Sequence, residues 1–210
     1  MEEQKEYSFI IADDHSIVRQ GVAFLLSNKY KQACIYQAAN FSEILKKINI
    51  TPIDLVILDI NFPDGTSLNF IPTIKKNHPN VKILIFSAFD ENVYATRYLN
   101  AGANGYLEKL SSDDEIIEAI DAVLCTGRFV SRNVQDKIMN TYILKKPVNP
   151  LEQLSNRELE IAKLMVEGNG NIEICSILHI QKSTVSTYKN RIFEKMEIDN
   201  LSDLIQLFNL

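Results

Sequence analysis

The feature that most restricts the fold is an alternation, over the first 127 residues, of five short apolar runs with longer amphipathic stretches. The apolar runs are 9–12, 33–36, 55–58, 83–86 and 105–107. They are almost continuously apolar, as is typical of strands that are buried on both faces. The stretches between them repeat apolar residues at helical spacing. Five βα repeats of this kind predict an α/β domain with a doubly wound, five-stranded parallel sheet.

The region after residue 150 has helical periodicity only. The predicted helices cover about 156–166, 171–178, 182–196 and the residues that follow Asn200. Ser155 and Glu158 are spaced as a capping box at the start of the first helix, and Gly168 and Gly170 interrupt the pattern after it. Four short helices joined by tight turns predict a small all-α domain.

Residues 128–150 separate these two regions and differ from both in charge. Their net charge is +4, whereas that of 1–127 is −6 and that of 151–210 is −3. Two prolines near the end of the segment disfavour both helix and strand. We therefore expect one domain over 1–127 and another over 151–210, joined by a linker over 128–150 that contains a short helix at about 134–144.

Composition excludes several classes of protein. No run of 18 or more apolar residues is present, so we expect no membrane span. The N-terminal residues are acidic and lack the apolar core of a secretion signal, and Cys34, Cys125 and Cys175 are isolated from one another. These features predict a cytoplasmic protein without a cysteine or histidine metal site. The total net charge of −5 means that any contact with DNA has to be local.

Charged and hydroxyl side chains follow four of the five predicted strands. Asp13 and Asp14 follow the first strand, Asp59 the third, Ser87 the fourth and Lys109 the fifth. Because the carboxyl ends of parallel strands meet at one edge of a sheet, we expect these side chains to gather there. Three neighbouring carboxylates repel one another unless a divalent cation lies among them, and carboxylate oxygen suits Mg²⁺. The sequence therefore predicts a Mg²⁺ site, where Ser87 can contact a transferred phosphoryl oxygen and Lys109 adds positive charge.

Each of these residues also has an ordinary structural explanation. Asp13 and Asp14 could cap a helix that begins near Ser16. Asp59 could be an acidic loop residue, and Lys109 could be a solvated lysine, as most lysines are. These explanations do not account for suitable residue types at four strand ends at once, and this coincidence favours the binding site.

Four motifs in this region resemble those of the receiver domains of bacterial response regulators. They are 11–15 (IADDH), 58–65 (LDINFPDG), 86–88 (FSA) and 102–109 (GANGYLEK). The resemblance extends over about 7–125 and implies a flavodoxin-like fold. It also implies that Asp59 accepts a phosphoryl group from a sensor histidine kinase.

The same resemblance implies a role for each residue of the acidic site. The implied Mg²⁺ ligands are Asp13, Asp14, Asp59 and the backbone carbonyl of Asn61. Ser87 and Lys109 are implied to contact the phosphoryl group, and Ser87 and Tyr106 to form a switch pair. The chain departs from the family pattern at Leu110, where many receivers have proline, and at Phe89, where a polar residue is common.

The helix predicted over 182–196 has two different faces and a net charge of +3. Its apolar face contains Val185, Tyr188, Ile192 and Met196. The opposite face has short polar side chains flanked by cations. A solvated helix can have this pattern, but it is also typical of a helix that reads the major groove of DNA. The candidate DNA-contacting residues are Lys182, Ser183, Ser186, Thr187, Lys189, Asn190 and Arg191.

The region 151–208 resembles the LuxR-type helix-turn-helix domain. The resemblance lies in 154–158 (LSNRE), in Gly168 and Asn171, and in 183–189 (STVSTYK). The last motif is similar to that of the subgroup containing the regulators EvgA and BvgA. A receiver followed by this module defines the NarL/FixJ class. Membership implies binding to double-stranded operator DNA as a homodimer, with dimerisation promoted by phosphorylation.

Together these resemblances imply a DNA-binding transcriptional response regulator of a two-component system. Mg²⁺-dependent phosphorylation of Asp59 is expected to switch it, and no enzymatic activity is expected beyond self-phosphotransfer and autodephosphorylation. One alternative is a phosphorylation-independent regulator with a degenerate receiver, against which the intact acidic set argues. Another is a metal-dependent phosphatase that uses Asp59, but the chain has no room for the cap elements that such an enzyme needs.

Overall fold

A computed structural model gives the fold and describes residues 6–144 and 149–208, without the side chains of 141–144. The chain divides into two compact units between Ile138 and Met139, inside the segment predicted as a linker. Within the described ranges, every helix is too short or too polar to cross a bilayer.

The first unit is built on a five-stranded parallel sheet. The strands are β1 (Ser8–Ala12), β2 (Cys34–Ala38), β3 (Leu55–Leu58), β4 (Asn61–Phe62), β5 (Gly65–Thr66), β6 (Lys82–Ser87) and β7 (Gly105–Glu108). The order in the large sheet is β2-β1-β3-β6-β7, while β4 and β5 form a separate antiparallel hairpin. The helices are α1 (Ser16–Lys29), α2 (Phe41–Ile50), α3 (Ser67–Asn77), α4 (Glu91–Asn100) and α5 (Asp113–Thr126). This architecture confirms the predicted doubly wound fold.

Helices cover both faces of the large sheet. Successive strand residues point to opposite faces, so Ile10 belongs to the apolar cluster formed with α2, α3 and α4. Its neighbours Phe9 and Ile11 belong to the cluster formed with α1 and α5. Burial on both faces explains why the central strands β1, β3 and β6 appear in the sequence as nearly continuous apolar runs.

The register of the sheet brings the ends of the central strands to the same level. Ala12 pairs with Leu58, and the Asp59 backbone N–H donates to the Ala12 carbonyl oxygen at 2.9 Å. On the other side, the Lys109 backbone N–H donates to the Ser87 carbonyl oxygen at 2.7 Å. The residues that follow these strands are therefore held close together by main-chain hydrogen bonds.

The segment predicted as a linker contains α6 (Arg132–Leu144), which begins two residues before the predicted helix. Three apolar residues of this helix, Val134, Ile138 and Tyr142, are spaced to lie on one side. Val134 is buried and Ile138 is exposed, while the Tyr142 side chain lies outside the described residues.

The second unit is helical, as predicted. After a 3-10 helix (Pro150–Gln153) it contains α7 (Asn156–Val166), α8 (Asn171–Leu178), α9 (Lys182–Met196) and α10 (Leu201–Phe208). The capping box is present, since the Ser155 side chain accepts from the Glu158 N–H and the Glu158 carboxylate accepts from the Ser155 N–H. Gly168, with φ of +89°, follows α7 in a left-handed conformation that favours glycine.

Candidate functional site

The acidic residues predicted to meet at the sheet edge do so. Asp13 and Asp59 are buried, and the Lys109 ammonium lies between them, with Nζ at 2.6 Å from Asp13 Oδ2 and 2.9 Å from Asp59 Oδ2. The other Asp59 oxygen, Oδ1, accepts from the Ile60 backbone N–H at 2.7 Å. One lysine is thus shared by two buried carboxylates.

Asp14 extends this cluster toward solvent, together with a residue that the sequence reasoning did not select. The Nδ1 atom of His15 lies 2.6 Å from Asp14 Oδ1 and 3.3 Å from Asp13 Oδ1. His15 occurs directly after the two aspartates, and that adjacency is the signal from which its place in the cluster could have been anticipated.

The charges of this acidic cluster are not balanced, because the buried carboxylates of Asp13 and Asp59 share one lysine. Burial raises the pKa of the Asp59 carboxyl above its ordinary value, although the hydrogen bond and charge of Lys109 act in the opposite direction. Burial alone would lower the pKa of Lys109, but hydrogen bonds and charge from Asp13 and Asp59 outweigh it, and its pKa is raised. Lys109 therefore stays charged, while the Asp59 carboxylate is incompletely compensated.

The donor set fits a hard divalent cation. One ligand atom from each of Asp13, Asp14, His15 and Asp59 lies within 4.8 Å of the others. Carboxylate oxygens at this spacing are the ligands that Mg²⁺ prefers. Asn61 begins β4 two residues after Asp59, and the contribution of its carbonyl oxygen stays a prediction.

The ordinary explanations for these residues do not describe the structure. α1 begins at Ser16 with His15 as N-cap, and the N-cap position is therefore not occupied by an aspartate; the Asp13 carboxylate accepts from the His15 N–H at 2.8 Å, before the first helical residue. Asp59 is buried, and the Lys109 side chain is only 16% exposed. The charged side chains are therefore held inward.

The predicted switch residues are linked through the backbone of Phe89. Ser87 is buried, and its Oγ accepts from the Phe89 N–H at 3.3 Å. Tyr106 is also buried, and its hydroxyl hydrogen-bonds Ser87 and donates to the Phe89 carbonyl oxygen at 2.8 Å. Both backbone groups of Phe89 are thus tied to the pair Ser87 and Tyr106.

The two departures from the family pattern have different surroundings. The Phe89 ring stacks on Tyr94, with 5.2 Å between ring centroids. Leu110 follows Lys109 directly, is 90% exposed and lies three residues before the start of α5.

The predicted DNA-reading helix is α9, and its two faces differ as expected. Val185, Ile192 and Met196 are buried, while Tyr188 is half-buried. Of the candidate DNA contacts, Lys182, Ser183, Thr187, Asn190 and Arg191 are exposed, and Ser186 and Lys189 are half-buried. The hydroxyls of Ser186 and Thr187 donate to carbonyl oxygens one turn back, at Lys182 and Ser183. The polar face of α9 is available to a partner.

An ion pair holds α9 against α7, and a hydrogen bond joins α7 to α8. Lys195 Nζ lies 2.6 Å from Oε2 of Glu158, which is buried in α7. Arg157 donates to the Leu178 carbonyl oxygen at the end of α8, 3.1 Å away. The capping-box pattern in the sequence predicts the position of Glu158 but not its pairing with Lys195, 37 residues later.

Two protein families match the two units separately. The response regulator receiver domain matches residues 9–121, and the LuxR family of bacterial regulatory proteins matches residues 152–208. The first match alone covers more than half of the chain.

Known proteins are similar over almost the whole chain. Oxygen regulatory protein NreC of Staphylococcus epidermidis is 31% identical over 205 residues, which cover 94% of each protein. RcsB of Salmonella enterica serovar Typhimurium bound to the promoter rprA is 19% identical, with a TM-score of 0.71 over 98% of this chain and 100% of that one. A structure of two RcsB dimers on two parallel DNAs is 21% identical, with a TM-score of 0.60 over 98% of each chain.

Proposed function

Because the chain belongs to the response regulators, as a DNA-binding transcriptional regulator of the NarL/FixJ class, we propose that Mg²⁺-dependent phosphorylation of Asp59 controls its binding to DNA. The observation that supports this most directly is the pairing of the buried Asp59 with Lys109, beside Asp13. A carboxylate in this setting is well placed to accept a phosphoryl group.

The phosphotransfer step uses Asp59 as a nucleophile. One Asp59 carboxylate oxygen forms a bond to phosphorus while the bond from phosphorus to the phosphohistidine nitrogen of a sensor kinase breaks, and the electron pair returns to that nitrogen. Lys109 neutralises charge on the phosphoryl oxygens, and Ser87 donates a hydrogen bond to one of them. Mg²⁺, held by Asp13, Asp14, Asp59 and the Asn61 carbonyl, supplies further charge neutralisation when bound.

We propose no catalytic activity of the protein toward other molecules. The chain would transfer a phosphoryl group only to itself and lose it by hydrolysis. The alternative of a degenerate, phosphorylation-independent receiver is disfavoured because the carboxylates and lysine needed for the chemistry lie together.

For the second unit, we propose that the polar face of α9 enters the major groove of operator DNA. Lys182, Ser183, Ser186, Thr187, Lys189, Asn190 and Arg191 would contact the DNA. The RcsB dimers on DNA support a homodimer as the binding species. We also propose that the protein is cytoplasmic and that phosphorylation promotes its dimerisation.

The phosphorylation proposal is tested with acetyl phosphate and Mg²⁺, using mobility on a phosphate-affinity gel. Asp59→Asn should abolish the shifted band. Asp64→Asn is the matched control, because Asp64 accepts from the Phe41 N–H at 3.0 Å and an asparagine oxygen can keep that bond. A shifted band of full intensity in the Asp59 variant would contradict the assignment.

A further inference from the structure

Residues 128–138 are fixed to the first unit by contacts that phosphotransfer does not require. The Phe129 N–H donates to the Asn104 carbonyl oxygen at 2.9 Å, and Phe129 forms a parallel β-bridge with Gly105 at the start of β7. A Cβ atom on Gly105 would lie 2.8 Å from the Phe129 carbonyl oxygen, so this close approach needs glycine. The segment thereby covers the outer edge of the sheet beside β7.

A polar anchor follows on α4. Ser131 Oγ donates to Glu91 Oε1 at 2.8 Å, and the Asn133 side chain also hydrogen-bonds Glu91. Lys137 Nζ donates to the backbone carbonyl oxygen of the next residue on α4, Asn92. Burial raises the pKa of Glu91, which places its carboxyl in a partly dry contact rather than in open solvent.

An apolar anchor lies between these polar contacts. Val134 is 1% exposed and belongs to the same apolar cluster as Tyr98 and Tyr106. The start of α6 is therefore packed into the cluster that contains the switch tyrosine.

Glu91, the acceptor in the polar anchor, lies two residues after Phe89, whose backbone contacts the switch pair of Ser87 and Tyr106. Ser87 Oγ accepts from the Phe89 N–H, and the Tyr106 hydroxyl donates to the Phe89 carbonyl oxygen. If Ser87 turned toward a phosphoryl oxygen on Asp59, the Phe89 N–H would lose its acceptor. The connection from β6 to α4 would then lose one of the hydrogen bonds that hold it. The Tyr106 hydroxyl at the Phe89 carbonyl oxygen and the Glu108 carboxylate at the Glu91 N–H would remain, and we expect a shift of Glu91 relative to Ser131.

We propose that Glu91 and Val134 form a latch that holds residues 128–138 against the first unit, and that the latch opens when Ser87 leaves Phe89. The contacts that hold residues 128–138 do not depend on phosphorylation, whereas the opening step rests on the proposed phosphorylation of Asp59. Opening frees the segment that leads to the second unit, which couples a charge change at the sheet edge to the motion of α6.

The latch is tested by hydrogen–deuterium exchange of the backbone amides of 129–138 in the full chain. Glu91→Ala removes the acceptor for Ser131. Glu118→Ala is the matched control, since Glu118 is an exposed α5 carboxylate that lines, with Glu91 and Ser131, the cavity between α5 and the start of α6. Without phosphorylation, Glu91→Ala should raise exchange in 129–138 at least about tenfold, a factor equivalent to about 1.4 kcal/mol. Glu118→Ala should exchange like the parent protein.

The opening step is tested on the parent protein treated with acetyl phosphate and Mg²⁺, with a phosphate-affinity gel run on the same sample. A shifted band together with an about tenfold rise in exchange over 129–138 is the expected result. A shifted band with unchanged exchange would overturn the opening step. Absence of the shifted band would instead count against phosphorylation of Asp59.

Two further measurements separate loss of the latch from general damage. Ser131→Ala removes the same hydrogen bond from the other side, together with the acceptor of the Val134 N–H, and should also raise exchange over 129–138. Exchange over β1 and β3 should be the same in all variants. Equal exchange over 129–138 in Glu91→Ala, Ser131→Ala and the parent protein would refute the holding contacts, whatever the gel shows.

Discussion

Asp59 in the first unit and Glu158 in the second are both buried carboxylates paired with a lysine, but the pKa of the carboxyl group shifts in opposite directions in the two pairs. Each lies close to a lysine, with 2.9 Å from Lys109 to Asp59 and 2.6 Å from Lys195 to Glu158. Burial raises the pKa of Asp59 in spite of its lysine. Burial alone would also raise the pKa of Glu158, but hydrogen bonds from Lys195 and Ser155 outweigh it, and the pKa is lowered.

The number of partners explains this difference. Lys109 is shared between Asp59 and Asp13, and the nearby Asp13 charge raises the Asp59 pKa further. Glu158 accepts hydrogen bonds from Lys195 and from the Ser155 backbone N–H, and the second of these belongs to the capping box. An undercompensated carboxylate at a strand end is a place where an added cation or phosphoryl group gains binding energy, whereas a fully compensated one stabilises the fold.

The largest expected effect comes from removing the carboxylates that crowd Asp59. Replacing both Asp13 and Asp14 by Asn should weaken Mg²⁺ binding by more than the roughly 10–100-fold that loss of a supporting residue costs, and should block phosphotransfer. The protein should remain folded, because removing close like charges relieves repulsion. Isothermal titration with Mg²⁺ and a thermal melt measure the two effects. Unchanged Mg²⁺ affinity would remove the basis for this metal site.

The next effect concerns the compensated carboxylate. Glu158→Gln keeps the shape of the side chain but removes its charge, so it should destabilise the second unit by about 1.5–3 kcal/mol, the usual range for hydrogen bonds to charged groups. Urea denaturation followed by circular dichroism measures this loss. Because the folded-state pKa of Glu158 is lowered, its contribution is fully present above the ordinary value of 4.5 and is lost as pH falls below that value through the folded-state pKa. The difference from the parent protein should therefore shrink in acid, and a constant difference would contradict the pairing.

The corresponding change in the first unit should have the opposite sign. Asp59→Asn removes a charge whose folded-state pKa is raised, so in the absence of Mg²⁺ it should leave stability unchanged or increase it. The penalty from the parent Asp59 is absent at low pH and appears as pH rises through the folded-state pKa. Comparing denaturation midpoints of Asp59→Asn and the parent protein at pH 5 and pH 7.5 measures this. A clear loss of stability at both pH values would mean that Asp59 is compensated like Glu158.

The secondary structure and the acidic site could be predicted from the sequence to different extents in different parts of the molecule. The strands of the five-stranded sheet and the helices α7 to α10 were predictable, because burial and capping residues leave patterns over a few consecutive residues. The acidic site was predictable because parallel strands bring their ends together whatever the details of packing. The hairpin of β4 and β5 and the 3-10 helix were not predicted, since two to four residues are too few for periodicity.

Pairings between distant residues also escaped sequence reasoning. Lys195 meets Glu158 and Ser131 meets Glu91 across 37 and 40 residues, and no local pattern specifies either contact. The capping signal at Glu158 was correct but incomplete, because it did not reveal the second partner that lowers the pKa.

The remaining expected effects are on the polar face of α9, which is exposed and depends on a partner rather than on burial. Asn190 is exposed and suited to read a base edge, so Asn190→Ala should relax base preference at one position and cost about 1–3 kcal/mol. The Lys189 ammonium lies 5.4 Å from the centroid of the Phe193 ring and can reach a phosphate instead. Lys189→Ala should weaken binding to all sequences and flatten the salt slope by about one unit.

These two variants form a matched pair, because they change neighbouring residues on one helix but affect different components of DNA binding. Titration of operator and scrambled DNA at several salt concentrations separates the components, since only the phosphate contact changes the salt slope. Asn190→Ala should keep the slope of the parent protein and lose discrimination between the two DNAs. If both variants instead lowered specific and nonspecific affinity alike, with the slope of the parent protein, α9 would not lie in the groove as proposed. The functional surface of the second unit would then have to be sought on another helix.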